Sequence, residues 1–365
     1  MEHYDIGFLG GGQLARMSIQ AAQRMGLRCL SLDPGVETPA SQVAPAILGS
    51  LSDPQRIADL ANRCDRVTLE NEFIPAASIL ASGINESKFI PGVDALANIQ
   101  DKLLQRHALE RSGVPSPKAI AMDDPAVAEM EIGYPMVLKA RFGGYDGKGT
   151  RYANTWDELD SYRSLWAAGG WLAEKFVPFK RELAAMVFID ERNRGAFPTM
   201  ETIQTDHVCD LVFPSGVDAS EVAIAAVESI GGKGLFGVEM FELESGEIMI
   251  NEIAPRPHNT GHYTLDWGGI SQFEQHVRIV MGYDLGSPIG QPTCMANLLG
   301  QPNSGEFQNG LRQALSDPGV HVHWYGKVEA TPGRKMGHLN VVGGENLVER
   351  AKHARERFYT GWTGS

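Results

Sequence analysis

Residues 237 to 253 read GVEMFELESGEIMINEI, two apolar-rich runs on either side of Ser245 and Gly246, which is the pattern of a β-hairpin. A hairpin fixes which side chains face one another, so this stretch limits the fold more than any other. With a turn symmetric about Ser245 and Gly246, Leu243 faces Ile248, Phe241 faces Ile250 and Glu239 faces Glu252, and all six share one face. Two carboxylates then stand opposite each other at the open end, their Cβ atoms roughly 4.5 to 5.5 Å apart. Like charges at that spacing repel unless one takes up a proton or a hard cation such as Mg2+ bridges both. The bland alternative is a solvated hairpin with both acids in water. Asn251 and Arg256, in NEIAPRPHNTGH, favour the cation, because hydrogen-bonding groups gather where the apolar strand should end.

At 365 residues the chain exceeds one ordinary core, and two or three domains are expected. Apolar residues make up 43% and charged residues 21%, as in soluble globular proteins. A net charge of −13 argues against general affinity for nucleic acid or an anionic membrane. Cys29, Cys64, Cys209 and Cys294 are widely spaced with no metal-ligand pattern, and read as buried free thiols in a reducing compartment. No run of about 18 apolar residues occurs, and MEHYDIGFLG carries no basic leader. A cytoplasmic protein with no membrane partner is expected.

In chain order, DIGFLGGG, QLARMSIQAAQRMGL and RCLSLD read as strand, helix and strand, the start of a parallel sheet. Gly10, Gly11 and Gly12 would let a ligand anion approach the helix N-terminus. Ala15 stands where a dinucleotide fingerprint ends in glycine, a tolerated variant, so an NAD(P)-dependent oxidoreductase is a second reading, with Asp33 about where a ribose-binding acid would sit. Asp53 and Pro54 start a helix. The strand RVTLE leads into ENEFIP, and Glu72, at the ligand-bearing edge of such a sheet, is either a substrate contact or a helix cap. Residues 101 to 112 form a helix that ends at Gly113 and Pro115, with a domain boundary just before it.

In PMVLKARFGGYDGKGTRYA the strand MVLKA puts Val137 and Lys139 on one face. The glycine-rich turn that follows, Gly144, Tyr145, Asp146, Gly147, Lys148, Gly149 and Thr150, can fold its N–H groups over phosphate oxygens. It is not a Walker A loop, because Gly149 separates Lys148 from Thr150 and a strand follows. Phosphate donors upstream and a carboxylate hairpin downstream together suggest a nucleoside triphosphate. WLAEKFVPFKRELAAMVF reads as strand, turn, strand. There Glu174, Lys175, Phe176 and Val177 form a hinge whose backbone could meet an adenine edge, with Glu182 near the ribose hydroxyls. Residues 221 to 230 are helical, and in GISQFEQHVRIVMG His276 is read as structural. Lys327, Arg334 and Lys335 flank a Pro-Gly turn, a seat for a phosphate monoester.

LGGGQLARM, GGYDGKGT, NEIAPRPHNTGH and HWYGKVEATPGRKMGHLN, in this order over nearly the whole chain, resemble the ATP-grasp superfamily. Within it they are similar to the 5-(carboxyamino)imidazole ribonucleotide synthases of purine biosynthesis. The resemblance implies an α/β (α+β) fold of three domains. These are a Rossmann-like parallel-sheet domain over 1–98, a lid domain with the flap over 99–178, and a large domain over 179–365 that carries the metal site and the substrate-phosphate region. It implies a homodimer that carboxylates aminoimidazole ribonucleotide with bicarbonate and ATP through carboxyphosphate. ATP would meet Lys102, Lys139, the flap Gly144 to Thr150, the hinge Glu174 to Val177, Glu182, Asn251 and Glu252. Gln204 stands where some relatives carry a histidine that touches the nucleotide. Mg2+ would be held by Glu239 and Glu252. The ribonucleotide would lie across Gln13, Leu14, Glu72, Asn259, Lys327, Arg334 and Lys335. Lys139, Asp146 and Arg256 would serve catalysis. A formate-dependent glycinamide ribonucleotide transformylase is the nearest rival.

Overall fold

The near-continuous apolar runs of the N-terminal part form a parallel sheet buried on both faces. A computed structural model of the chain describes residues 2–144, 149–302 and 305–364. Strands β1 (Tyr4–Leu9), β2 (Cys29–Asp33), β3 (Ala46–Leu48), β4 (Cys64–Leu69) and β5 (Phe89–Ile90) are ordered β3-β2-β1-β4-β5, all neighbours parallel. Leu9, Leu32 and Leu69 point into one apolar cluster, while Ile6, Phe8 and Cys29 point into another, as the two-residue period of a strand requires. The second cluster also takes in Phe273, Val277 and Val280 of the helix Gln272–Met281, and Tyr325. One face of the N-terminal sheet is thus packed against the C-terminal half of the chain.

The lid sheet comprises β6 (Ala119–Ala121), β7 (Met136–Ala140), β8 (Thr150–Ala153) and β9 (Trp171–Lys175), ordered β6-β9-β7-β8. Met136, Leu138 and Ala173 are fully buried in its core, which leaves Val137 and Lys139 on the opposite face. Two short helices, Trp156–Ser161 and Arg163–Trp166, follow β8.

The third sheet contains β10 (Arg181–Ile189), β11 (Arg194–Ala196), β12 (Met200–Thr205), β13 (Val208–Pro214), β14 (Gly234–Glu242), β15 (Ile248–Ala254), β16 (Thr293–Leu299), β17 (Val320–Trp324) and β18 (Lys335–Val342). Its order is β15-β14-β10-β12-β13-β16-β18-β17, with β11 paired to β10. The helix Ser220–Ser229 covers one face, where Ala223, Ile224 and Val227 meet Leu183, Val238, Met240, Ile250 and Ile253. Among the described residues no helix is long and apolar enough to cross a membrane.

The β14–β15 hairpin corrects the symmetric register. Glu239 does pair with Glu252, but the ladder then shifts by one residue, so Met240 faces Ile250, Phe241 faces Met249 and Glu242 faces Ile248. Asn251 is the extra residue of a β-bulge. The physical cause is core packing. Ile250 and Ile253 are three positions apart, yet both are buried with Val238 and Met240, which an unbroken two-residue alternation cannot achieve. Phe241 faces away from that core and stacks on Phe179, ring centroids 4.5 Å apart.

Candidate active site

The bulge places Asn251 beside Glu252 at the junction of the lid sheet, the third sheet and the helix Lys102–Arg111. Seven side chains line the cleft there: Lys102, Gln105, Arg106, Lys139, Glu174, Asn251 and Glu252. Lys139 Nζ donates to Glu174 Oε1 at 2.7 Å and to Asn251 Oδ1 at 3.2 Å, and Arg106 Nε donates to Glu174 Oε2 at 2.8 Å. Burial alone would raise the Glu174 pKa, but Arg106 and Lys139 outweigh it and hold the carboxyl at about 2. Burial dominates at Lys139, whose pKa is lowered despite Glu174. Arg106 also donates to the carbonyl of Asn251 at 2.6 Å, and Gln105 exchanges hydrogen bonds with the backbone of Ile253. One helix therefore satisfies outward-facing backbone groups of β15, the edge strand of its sheet.

Glu239 and Glu252 are the more accessible acids. Their side chains are 29% and 41% exposed, against 4% for Glu174, so a cation from solvent reaches the first two and not the third. Lys102 forms an ion pair with Glu252, and His258 Nε2 lies 3.9 Å from Glu239. Among the described residues no group of three or more His, Cys, Asp or Glu side chains forms a metal cage. A pair of hard oxygen donors open on one side is instead the set that Mg2+ uses when phosphate oxygens and water complete its shell.

At the C-terminal edge of the N-terminal sheet, the protein fills its own anion seat. Glu70, whose carboxyl is pushed up by burial, accepts from the Leu14 N–H at 3.4 Å at the start of the helix Gln13–Arg24. Asp33 accepts from the Gly11 and Gly35 amides, each at 2.8 Å. The glycines expected to admit a ligand phosphate admit these side chains, and the nicotinamide reading loses its binding feature. Glu72 does not cap the following helix, whose N-cap is Pro75. It accepts twice from Arg256, at 2.5 and 2.9 Å. Burial would raise the Glu72 pKa, yet Arg256 holds it below the ordinary value.

No spacing in the sequence marks His258 or Gln272, yet the fold joins them. Gln272, fully buried, accepts from the His258 N–H at 2.9 Å and donates to the His258 carbonyl at 2.8 Å. Gly237 is glycine because a Cβ there would sit 2.4 Å from that of His258. Burial, with Arg256 and Lys335 nearby, lowers the His258 pKa well below the usual histidine value, so its imidazole is neutral. His276 is structural, buried against Thr68 Oγ1 at 2.9 Å.

The remaining predicted residues fall as follows. Glu182 pairs with Phe241 in the ladder, on the Glu239 side of β14, and burial raises its pKa to about 7. Gln204 lies one residue past a register shift in β12. The Lys175 and Phe176 amides donate to Lys118 and Pro135 carbonyls. Asn259 and Asn297 exchange amide hydrogen bonds of 3.1 and 2.5 Å. Lys327 Nζ donates to the Lys335 carbonyl at 2.6 Å, and Arg334 to the Glu329 carbonyl at 2.9 Å, which closes the basic turn. Gly144, Gly149 and Thr150 bound the flap, whereas Tyr145, Asp146, Gly147 and Lys148 lie outside the described residues.

The chain matches known protein families along most of its length. Residues 107–273 match the ATP-grasp domain, residues 3–100 the ribonucleotide synthetase preATP-grasp domain, and residues 293–352 the phosphoribosylaminoimidazole carboxylase C-terminal domain. The chain is 38% identical to an N5-carboxyaminoimidazole ribonucleotide synthase from Synechococcus elongatus, over 96% of this chain and 92% of that protein. It is 37% identical to a phosphoribosylaminoimidazole carboxylase from Ogataea methanolica, over 94% of this chain and 67% of that longer protein. A crystal structure of N5-carboxyaminoimidazole synthase from Aspergillus clavatus, in complex with ADP and 5-aminoimidazole ribonucleotide, superposes with a TM-score of 0.87. Identity with it is 32%, and 98% of each chain is covered.

Proposed function

This chain belongs to the N5-carboxyaminoimidazole ribonucleotide synthase family of ATP-grasp ligases, and on that premise we propose how its residues share the ATP-dependent carboxylation of 5-aminoimidazole ribonucleotide. The triphosphate lies in the cleft between the lid sheet and the third sheet. Lys139 and Lys102 face its phosphates, the flap Gly144 to Thr150 is assigned to the same phosphates, the hinge Glu174 to Val177 borders the base, and Glu182 and Gln204 border the nucleoside. Glu239 and Glu252 hold Mg2+, which supplies charge neutralisation at the transferred phosphoryl group. The observation that carries this reading is the facing pair Glu239 and Glu252, both partly exposed, with Glu252 lining a cleft whose other walls are Lys102, Gln105, Arg106, Lys139, Glu174 and Asn251.

A bicarbonate oxygen attacks the γ-phosphorus, the bond to the β-phosphate oxygen breaks, and ADP and carboxyphosphate result. The exocyclic amine of the ribonucleotide then attacks the carboxyl carbon, phosphate leaves, and the amine loses a proton. The protein contributes position and fixed charge. Arg256, held by Glu72, orients the small anion, and Asp146 is the candidate acceptor of the amine proton. Gln13, Leu14, Glu72 and Asn259 bound the ribonucleotide, and Lys327, Arg334 and Lys335 take its phosphate. A cytoplasmic homodimer completes the reading.

The test is ADP release with bicarbonate or formate, crossed with aminoimidazole or glycinamide ribonucleotide. Turnover that requires bicarbonate and aminoimidazole ribonucleotide supports the assignment. A requirement for formate and glycinamide ribonucleotide would replace it with the transformylase.

A further inference from the structure

A second, larger cavity of about 730 Å³ opens between the N-terminal domain and the edge strand β17, within the range of about 300 to 1,000 Å³ typical of small-ligand sites. Its walls include Arg16 and Gln42 from the N-terminal domain, Lys327 from the basic turn, Trp324, Phe307 and Glu306. Trp324 and Phe307 stack with ring centroids 4.8 Å apart and form a flat apolar wall.

Arg16 is held at one end of its guanidinium. Nη1 donates to the Pro39 carbonyl at 3.1 Å and to Gln42 Oε1 at 2.8 Å. Gln42 Nε2 in turn donates to the Gly326 carbonyl at 2.5 Å, next to Lys327. Gly326 has φ +75°, and a Cβ there would lie 2.2 Å from Gln42 Oε1, so this clamp requires glycine. Both acceptors of Arg16 are neutral, and among the described residues its Nε and Nη2 have no acceptor. A half-buried guanidinium with its donor fork unspent is suited to a phosphate, which such a fork meets through paired charge-assisted bonds. The exposed carboxylate of Glu306 on the same wall opposes a second anionic group, which suits a single phosphate monoester better than a polyphosphate.

The geometry points to Arg16 as a further binding residue for the 5′-phosphate of the ribonucleotide, acting with Lys327 across this cavity. The inference rests on the function proposed above, which places Lys327 at that phosphate. Arg16 then ties substrate binding to the seam between the N-terminal domain and the third sheet, and the Gln42 clamp sets the distance between the two cations.

Steady-state kinetics of Arg16→Ala and Arg16→Lys test it. Loss of a charged hydrogen-bonding partner should raise the ribonucleotide KM about tenfold or more in Arg16→Ala and less in Arg16→Lys. The MgATP KM should shift less than about twofold, since Arg16 lines a different cavity from Lys139. An unchanged ribonucleotide KM, or an equal rise for both substrates, would overturn the inference. Lys327→Ala and Lys335→Ala separate it from its premise. If they raise the ribonucleotide KM and Arg16→Ala does not, only the Arg16 assignment falls. If all three leave it unchanged, the phosphate site itself falls. On the unaltered protein, an arginine-selective dicarbonyl reagent should modify Arg16 more slowly with ribonucleotide present than with MgATP alone, and equal modification would contradict the assignment.

Discussion

Gly12 shows how closely the N-terminal site is fitted at the level of single atoms. A Cβ at Gly12 would lie 2.2 Å from Glu70 Oε1, and one at Gly10 would lie 2.6 Å from Glu70 Cβ. Gly12→Ala should therefore destabilise the protein by about 1 to 3 kcal/mol through overpacking, read as a lower urea midpoint, and shortening the neighbour in Gly12→Ala/Glu70→Ala should recover part of that loss. No recovery would mean that the contact is not what demands glycine. The sequence showed the glycines but not their neighbour, because Glu70 is 58 residues away and only the β1–β4 pairing brings it back. Glu182 supports a second prediction. Its folded pKa, about 7, lies above the ordinary carboxylate value because of burial. Between pH 4.5 and 7 the folded state therefore holds a proton that the unfolded state has released, so this group makes stability fall as pH rises through that window. In the nucleotide-free protein Glu182→Gln should flatten the decline of Tm from pH 5 to 7, and an unchanged slope would place the proton elsewhere.

Among the elements, the hairpin and the helix Lys102–Arg111 form one functional unit. The facing of Glu239 and Glu252 was legible only through two offsets that cancel: the ladder next to the turn runs one residue off the symmetric register, and the bulge at Asn251, between the turn and the two acids, restores it. The shift itself was not, because it depends on which isoleucines the helix Ser220–Ser229 buries. Arg106 was illegible for a related reason. In DKLLQRHALERS it has the spacing of an ordinary solvated arginine, and only the approach of the lid sheet and β15 turns it inward. Arg106→Met should leave Glu174 underpaired and the Asn251 carbonyl without its donor, at a cost of about 3 to 5 kcal/mol for breaking a buried ion pair. Urea unfolding measures this, and a loss below about 1 kcal/mol would show that the pair behaves as a surface contact. Glu174 also sets an acid limit. Its pKa is lowered to about 2, so the stability it contributes is present above pH 4.5 and is lost as pH falls toward 2.

At the scale of the whole molecule, three sheets built from successive stretches converge on two clefts. The parallel N-terminal sheet and the strands β7 and β9 of the second sheet were legible from strand patterns. The packing of the N-terminal sheet on the C-terminal half was not, since the contact of the helix Gln272–Met281 with that sheet joins residues more than 200 positions apart, as at Thr68 and His276. All four cysteines are buried, with thiol pKa values pushed up to about 12 by burial. The native protein should accordingly resist thiol reagents at neutral pH until it unfolds, and rapid labelling of the folded chain would contradict this packing. The most direct measurement of the catalytic reading is Mg2+-dependent ADP release by Glu239→Gln and Glu252→Gln, with bicarbonate and aminoimidazole ribonucleotide saturating. Loss of an oxyanion metal ligand should lower turnover by about a hundredfold or more while Tm stays near that of the unaltered protein. Turnover at the unaltered rate in both variants would show that these facing carboxylates do not hold the metal.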